Sequence, residues 1–149
     1  NWEKTINVNL NSVFILIKGL LSKLEKKKGS IINIASIHAT LTKPNFCAYA
    51  TSKAGLVGLT RSLAVELGSR VRVNAICPAA VDTPMLRDGF TGDVDRLNYL
   101  KDCHPTNSIG TVTDVGNAAL FLTDSDNTFL NGVILSLDGG ISKRLHDPL

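Results

Sequence analysis

No apolar run in this sequence approaches the roughly 20 residues that a membrane span needs. In the first helical stretch the longest is Val13 to Ile17, broken by Lys18. Charge of one sign is also scarce. The net charge of +3 is small and dispersed, so neither a nucleic-acid nor a membrane partner is expected. The one basic run, Lys26-Lys27-Lys28, falls where a helical pattern ends, and cations there favour the negative end of the macrodipole. The three cysteines, Cys47, Cys77 and Cys103, are odd in number and lack the close pairing of a metal site or a small disulfide framework. A reducing compartment, the cytoplasm, and no metal are the expectations. Repeats, linkers and low-complexity segments are missing, and so is an initiator methionine, the chain opening Asn1-Trp2-Glu3 inside a helical pattern. Any targeting peptide would lie upstream of that point.

What remains is a globular composition, 44% hydrophobic and 19% charged over 149 residues, with the length of one ordinary domain. Ile6, Leu10, Val13, Ile17, Leu20, Leu21 and Leu24 recur at spacings of three and four, predicting a long amphipathic helix that ends near Gly29. The β-branched run 30–36 predicts a strand buried on both faces of a parallel sheet. A second helix over 47–67 carries a stripe at Leu56, Leu59, Leu63 and Leu67. Its second face is small, with Ala50, Ala54, Gly55 and Gly58, so that another backbone can come close. A strand over 71–77 is closed by Pro78. Residues 83–106 lack clean periodicity and read as a flap over a substrate. A helix over 113–122 and a strand over 132–137 complete the chain before the turn Asp138-Gly139-Gly140. Helices and buried strands in alternation make an α/β fold, a parallel sheet with right-handed crossovers.

In such sheets ligands bind beyond the carboxyl ends of the strands. Ser36 follows the first strand, and Tyr49 and Lys53 stand one turn apart near the start of the second helix. That spacing puts phenol and ammonium on one helical face. A free phenol is a poor base at neutral pH, but an ammonium about 5 Å away favours the phenolate by about 3 kcal/mol at an effective dielectric near 20. A serine hydroxyl beside the pair holds a substrate oxygen in line for proton transfer. Taken singly, a Tyr-x-x-x-Lys pair is an ordinary surface pair. Ser36 alone is a strand-end residue, Asn9 a polar helix residue and Asp138-Gly139-Gly140 a turn. Their joint order is what carries weight.

With N-V-N-L at 7–10, I-I-N-I-A-S at 31–36, Y-A-T-S-K at 49–53, R-V-N-A-I-C-P at 72–78, D-T-P-M at 82–85 and L-D-G-G at 137–140, the chain resembles the short-chain dehydrogenase/reductase family, in its Asn-Ser-Tyr-Lys tetrad subtype. The resemblance implies a Rossmann-like three-layer sandwich and a catalytic tetrad of Asn9, Ser36, Tyr49 and Lys53. Tyr49 would be the general acid/base and Ser36 would orient the substrate oxygen. Lys53 would favour the phenolate and hold the nicotinamide ribose, and Asn9 would hold a water linking Lys53 to solvent. Pro78, Val81 and Thr83, with Tyr49 and Lys53, would contact the cofactor, NAD or NADP.

The implied activity is interconversion of a secondary alcohol and a ketone on a small-molecule substrate, in a homo-oligomer, dimer or tetramer. A 3-oxoacyl-thioester reductase is one specialisation. A truncated, non-catalytic dimerisation or binding module is the rival from another class. His38, Phe46, Cys47, Ala79, Ala80 and the flap from Met85 to His104 would shape the substrate pocket. Two departures stand out. Ala79 occupies a position where the family commonly has glycine. The family's Gly-rich phosphate turn, which belongs to its N-terminal half, has no counterpart after any strand here. Residues 1–149 are therefore expected to be the catalytic and C-terminal part of a single NAD(P)-binding Rossmann-like domain, with the first strand exposing an edge.

Overall fold

The computed structural model describes residues 1–145. The first helix starts where the Asn1 side chain accepts from the Lys4 N–H. It continues as α1 (Trp2–Ile6), a π turn (Asn7–Asn11) and α2 (Ser12–Lys26). The widened turn shows in the Ser12 N–H, which donates to the Asn7 carbonyl five residues back. One side chain satisfies a loosened carbonyl, Ser12 Oγ donating to that of Val8 at 2.6 Å, and Asn11 Nδ2 donates to Asn7 Oδ1 at 2.7 Å along the same turn.

The helix ends at Lys26, and its closure runs through Gly29, near where the sequence placed the end. Lys28 takes the left-handed position at φ +46°. The Gly29 N–H returns to the Leu24 carbonyl at 2.9 Å and the Lys28 N–H to that of Glu25 at 3.1 Å. This is a Schellman closure with lysine where glycine is usual.

The expectation of no membrane-length segment needs correction. Trp2–Lys26 forms one helix of 25 residues, long and apolar enough to cross a membrane by length and composition. Lys18 breaks the run without making the average polar. In this fold Val13, Ile17, Leu21 and Leu24 pack on Leu63, Leu67 and Val71, while Phe14, Ile15, Leu16 and Leu20 are exposed.

Three parallel strands, β1 (Ser30–Ile34), β2 (Arg72–Pro78) and β3 (Ile134–Leu137), lie in the order β1-β2-β3. Alternation along β2 assigns its two faces. Val73 packs with α2 and α3 (Cys47–Leu67), and Cys77 with Leu56 and Val57 of α3. On the other face Arg72 reaches α6 (Val112–Thr123). Helices therefore cover both sides of the central strand, giving the three layers of a Rossmann-like α/β fold.

Burial corrects one expectation. β1 is not buried on both faces: Asn33 is buried and Ile34 is exposed. Among the described residues β1 has a strand partner on one side only, and an edge strand sheds less water than a central one. β2, with partners on both sides, is buried from Val73 to Pro78.

Of the two glycines on the small face of α3, Gly55 meets a close neighbour and Gly58 has none within 4 Å. A Cβ added at Gly55 would lie 2.8 Å from Leu10 Cδ2, so glycine lets the π turn settle against α3. Arg72 closes the far end of α6, donating to the carbonyls of Leu122, Thr123, Asp124 and Leu130 at 2.8–3.2 Å. The first three are carbonyls of the kind a helix terminus leaves without partners, and Leu130 lies in the loop that follows. The start of α6 is held by a capping box between Thr111 and Asp114. The flap region contains two short helices, α4 (Pro84–Asp88) and α5 (Val94–Asp102).

Candidate active site

Ser36 sits just past β1, buried, where the chain turns into a short 3-10 segment, Ile37–Ala39. Its Oγ accepts from the His38 N–H at 3.2 Å, which orients the hydroxyl and leaves its own proton free to donate. α3 then carries Tyr49 and Lys53 on one face, with Lys53 Nζ 5.7 Å from the Tyr49 ring centre. The same ammonium donates to the Ile34 carbonyl at 2.8 Å, tying the helix to the last residue of β1. Burial is the main cause that holds the Lys53 amine below its ordinary value; nearby Cys77 pulls weakly the other way.

Asn9 joins through an intermediary. Its Nδ2 donates to Ser52 Oγ at 3.1 Å, and Ser52 Oγ donates to the Tyr49 carbonyl at 2.7 Å. The π turn contains Asn9, and widened turns of this kind are frequent at functional sites. Ser52, fully buried, was not singled out from sequence. Its spacing of three from Tyr49, on the inner side of α3, was the available signal.

Cys77 was missed in the same way. Burial pushes its thiol up, while the Ser36 backbone and the Lys53 and Arg61 charges pull the other way. Its odd-numbered place on β2 faces it toward α3.

Beyond β2 the residues expected to meet a cofactor follow in order. Pro78 is buried and pairs with Leu137. Val81 forms an isolated parallel bridge with Gly110. That bridge is made by the Gly110 N–H donating to the Ala80 carbonyl at 2.9 Å and the Asp82 N–H donating to the Gly110 carbonyl at 2.8 Å. In a parallel bridge of this form the bridged residue's own N–H and C=O face away from its partner, so those of Val81 point away from Gly110. Thr83 caps α4, its Oγ1 accepting from the Leu86 N–H at 3.2 Å, and the Asp82–Arg87 pair braces the same turn. A backbone donor and acceptor together with a hydroxyl suit a carboxamide, and an ammonium beside a phenol suits a ribose hydroxyl. The residues present therefore fit a nicotinamide nucleoside.

The wall beside Tyr49 is aromatic. His38 stacks on Phe46 with ring centres 4.7 Å apart, and Tyr49 meets both rings edge to face at 5.5 Å and 5.9 Å. Burial and then Lys43 hold the His38 imidazole below its ordinary value. Cys47 is exposed at the start of α3.

A separate cavity of about 200 Å³ is lined by Ala80, His104, Thr106, Gly110, Asp114 and Asp138 among others, and by none of the tetrad. His104 donates from Nδ1 to the Leu100 carbonyl at 2.8 Å. Its Nε2 is the one buried side-chain polar atom without a partner among the described residues. No group of three metal-binding side chains occurs among those residues.

Comparison with known proteins places this geometry. A family model described as enoyl-(acyl carrier protein) reductase matches residues 1–142. Dehydrogenase/reductase SDR family member 6 of Danio rerio is 38% identical over 146 residues, taking in 94% of this chain and 60% of that protein. The 3-oxoacyl-[acyl-carrier-protein] reductase FabG of Chlamydia trachomatis is 34% identical, covering 95% of this chain and 56% of its own length. The chain thus spans about three-fifths of the curated relatives it matches. Among solved structures, the ligand-free aldohexose dehydrogenase of Thermoplasma acidophilum superposes with a TM-score of 0.94 at 32% identity, covering 99% of this chain and 62% of that one. ElxO with NADP bound superposes with a TM-score of 0.89 at 30% identity, covering 97% and 59%. By family model, relatives and fold, the chain belongs to the short-chain dehydrogenase/reductase family.

Proposed function

We propose that this chain carries the proton-transfer half of an NAD(P)-dependent oxidoreductase that interconverts a secondary alcohol and a ketone. The observation that carries the reading is Lys53, whose one ammonium lies beside the Tyr49 ring and on the Ile34 carbonyl. It links the phenol to the strand end where Ser36 stands.

In reduction, Ser36 donates to the carbonyl oxygen and polarises it, and the Tyr49 hydroxyl delivers the proton to that same oxygen. In oxidation Tyr49 accepts it. Lys53 holds its ammonium beside the Tyr49 ring, 5.7 Å from the ring centre. Asn9, through Ser52, fixes the turn of α3 that presents Tyr49. Val81 and Thr83 would hold the carboxamide and Lys53 the ribose of NAD or NADP, which when bound supplies or takes up the hydride. A neighbour with NADP bound, ElxO, supports that cofactor class. The substrate is a small molecule. A 3-oxoacyl thioester is the specialisation that the FabG relative favours. The protein is proposed to be a cytoplasmic homo-oligomer, which sedimentation of the natural polypeptide would check.

The test follows a labelled hydride. The natural polypeptide carrying this chain is incubated with nicotinamide cofactor deuterated at C4 and a panel of ketones, and the products are read by mass spectrometry. One deuterium on the carbinol carbon is expected. A protein that binds neither cofactor and transfers no label would remove the reading and favour a binding module.

A further inference from the structure

The cavity of about 200 Å³ beyond the ends of β2 and β3 takes no part in proton transfer. It lies where the chain returning from α5 meets the turn after β3. There the Thr106 N–H donates to the Gly139 carbonyl at 3.3 Å and the Gly110 N–H to the Ala80 carbonyl at 2.9 Å. His104, only 2% exposed, forms part of the wall. The Leu100 carbonyl can only accept, so Nδ1, 2.8 Å away, carries the ring proton. In the neutral ring Nε2 is then a lone-pair acceptor, and no donor among the described residues reaches it. Nδ1 faces α5, whereas the ring edge that holds Cδ2 and Nε2 is turned to Gly139. A Cβ built on Gly139 would lie 3.5 Å from His104 Cδ2, and Gly139 belongs to the same wall.

A histidine nitrogen without a partner can be a packing defect, but buried acceptors are rarely left so. Two features of the wall argue for a ligand. Its other polar side chains are Asp114, Asp138, Thr106 and Ser108, and no described lysine or arginine lines it. Both carboxyls are held below their ordinary value, Asp114 by the Thr111 hydroxyl and N–H, and Asp138, against its burial, by Ser142 and Gly140. Their turn contacts leave capacity: those of Asp114 fall on Oδ2 alone, and Asp138 uses one bond on each oxygen. The second feature is spacing. No group of three metal-binding side chains occurs among the described residues, so a single ion cannot satisfy His104, Asp114 and Asp138 together. The wall repels anions, offers acceptors at separate points and calls for a longer cation.

We propose that this cavity binds a short aliphatic diamine. Its two ammonium groups answer Asp114 and Asp138 with charge-assisted hydrogen bonds, and one of them also donates to His104 Nε2. The Thr106 and Ser108 hydroxyls accept from the remaining N–H groups. No bond is made or broken. The site stands apart from the tetrad, so the inference does not rest on the reading of Tyr49.

The test titrates the natural polypeptide, labelled with 15N-histidine, with 1,3-diaminopropane and 1,4-diaminobutane at pH 7. Controls are propylamine, 1,4-butanediol and 1,4-bis(trimethylammonio)butane, which keeps both charges and has no N–H. The diamines are expected to shift the His104 Nε2 resonance saturably and, by calorimetry, to bind about tenfold or more tighter than propylamine. The diol and the bis-quaternary ion should leave the resonance in place. His104→Leu and Asp138→Asn are each expected to weaken the diamine about tenfold, the size of one lost hydrogen bond to a charged group. Ser142→Ala, which loosens the same turn and keeps the carboxylate, should retain it. A resonance that no amine moves would leave the cavity to water and overturn the proposal. Equal binding of the bis-quaternary ion, or unchanged affinity in both His104→Leu and Asp138→Asn, would overturn it too. Should a variant fail to fold, the titration of the parent decides alone.

Discussion

Lys53 Nζ donates to the Ile34 carbonyl at 2.8 Å, so the ammonium expected to serve Tyr49 is also the link between α3 and the edge strand. Ile34 is exposed, and water can replace the donor. Burial, by contrast, holds the amine below its ordinary value, which makes the charge a cost to the folded state. Lys53→Met is therefore expected to leave stability at pH 7 unchanged or higher while cutting turnover by about a hundredfold or more. The sign with pH follows from proton counts. Between the lowered folded value and the ordinary unfolded one, the unfolded chain binds more protons, so stability rises with pH across that interval. The rise should flatten in Lys53→Met. Urea unfolding at a series of alkaline pH values measures it.

Asn33 and Thr60 form a buried polar pair between β1 and α3. Asn33 Nδ2 donates to Thr60 Oγ1 at 2.9 Å, and the hydroxyl donates to the Leu56 carbonyl at 2.8 Å. Thr60→Val strands the Asn33 amide and is expected to cost about 2 kcal/mol. The same change in an Asn33→Val background should cost less than half of that. Equal costs in the two backgrounds, read from urea midpoints, would show that the pair is uncoupled.

The elements legible in the sequence are those with strong local patterns. α3 spans Cys47–Leu67 as its leucine stripe implied, and β2 follows its apolar run. Tyr49 and Lys53 share one face of α3 as their i, i+4 spacing implied. Three things were hidden for physical reasons. The π turn at Asn7–Asn11 is hidden because Ile6, Leu10 and Val13 keep spacings of four and three across it. Exposure along β1 depends on which neighbours flank the strand, which the run itself does not encode. Lys28 in the left-handed position was masked by Gly29, the residue that usually takes it.

Arg72 is expected to matter more to stability than its place at the start of β2 suggests. Its guanidinium serves four carbonyls at the end of α6 and the following loop. Arg72→Met should cost about 2–3 kcal/mol, the range for hydrogen bonds to a charged group. Lysine should recover only part, because it lacks the planar fork. Calorimetric melting of the three proteins would rank them.

Gly139 is the glycine with the least room. Its φ is +56°, and an added Cβ would lie 2.6 Å from Thr106 Oγ1. Gly139→Ala should destabilise by about 2–3 kcal/mol, roughly 1 kcal/mol of it from the backbone conformation. Thr106→Ala in the same chain should recover the remainder. A harmless Gly139→Ala would mean that the turn after β3 relaxes freely.

The central claim is that Tyr49 moves the proton. Its most direct test is Tyr49→Phe in the natural polypeptide, with turnover and cofactor affinity measured on the same preparation. Turnover is expected to fall by about a hundredfold or more, while NAD(P)H binding stays within a few-fold of the parent. Turnover retained in Tyr49→Phe would contradict it.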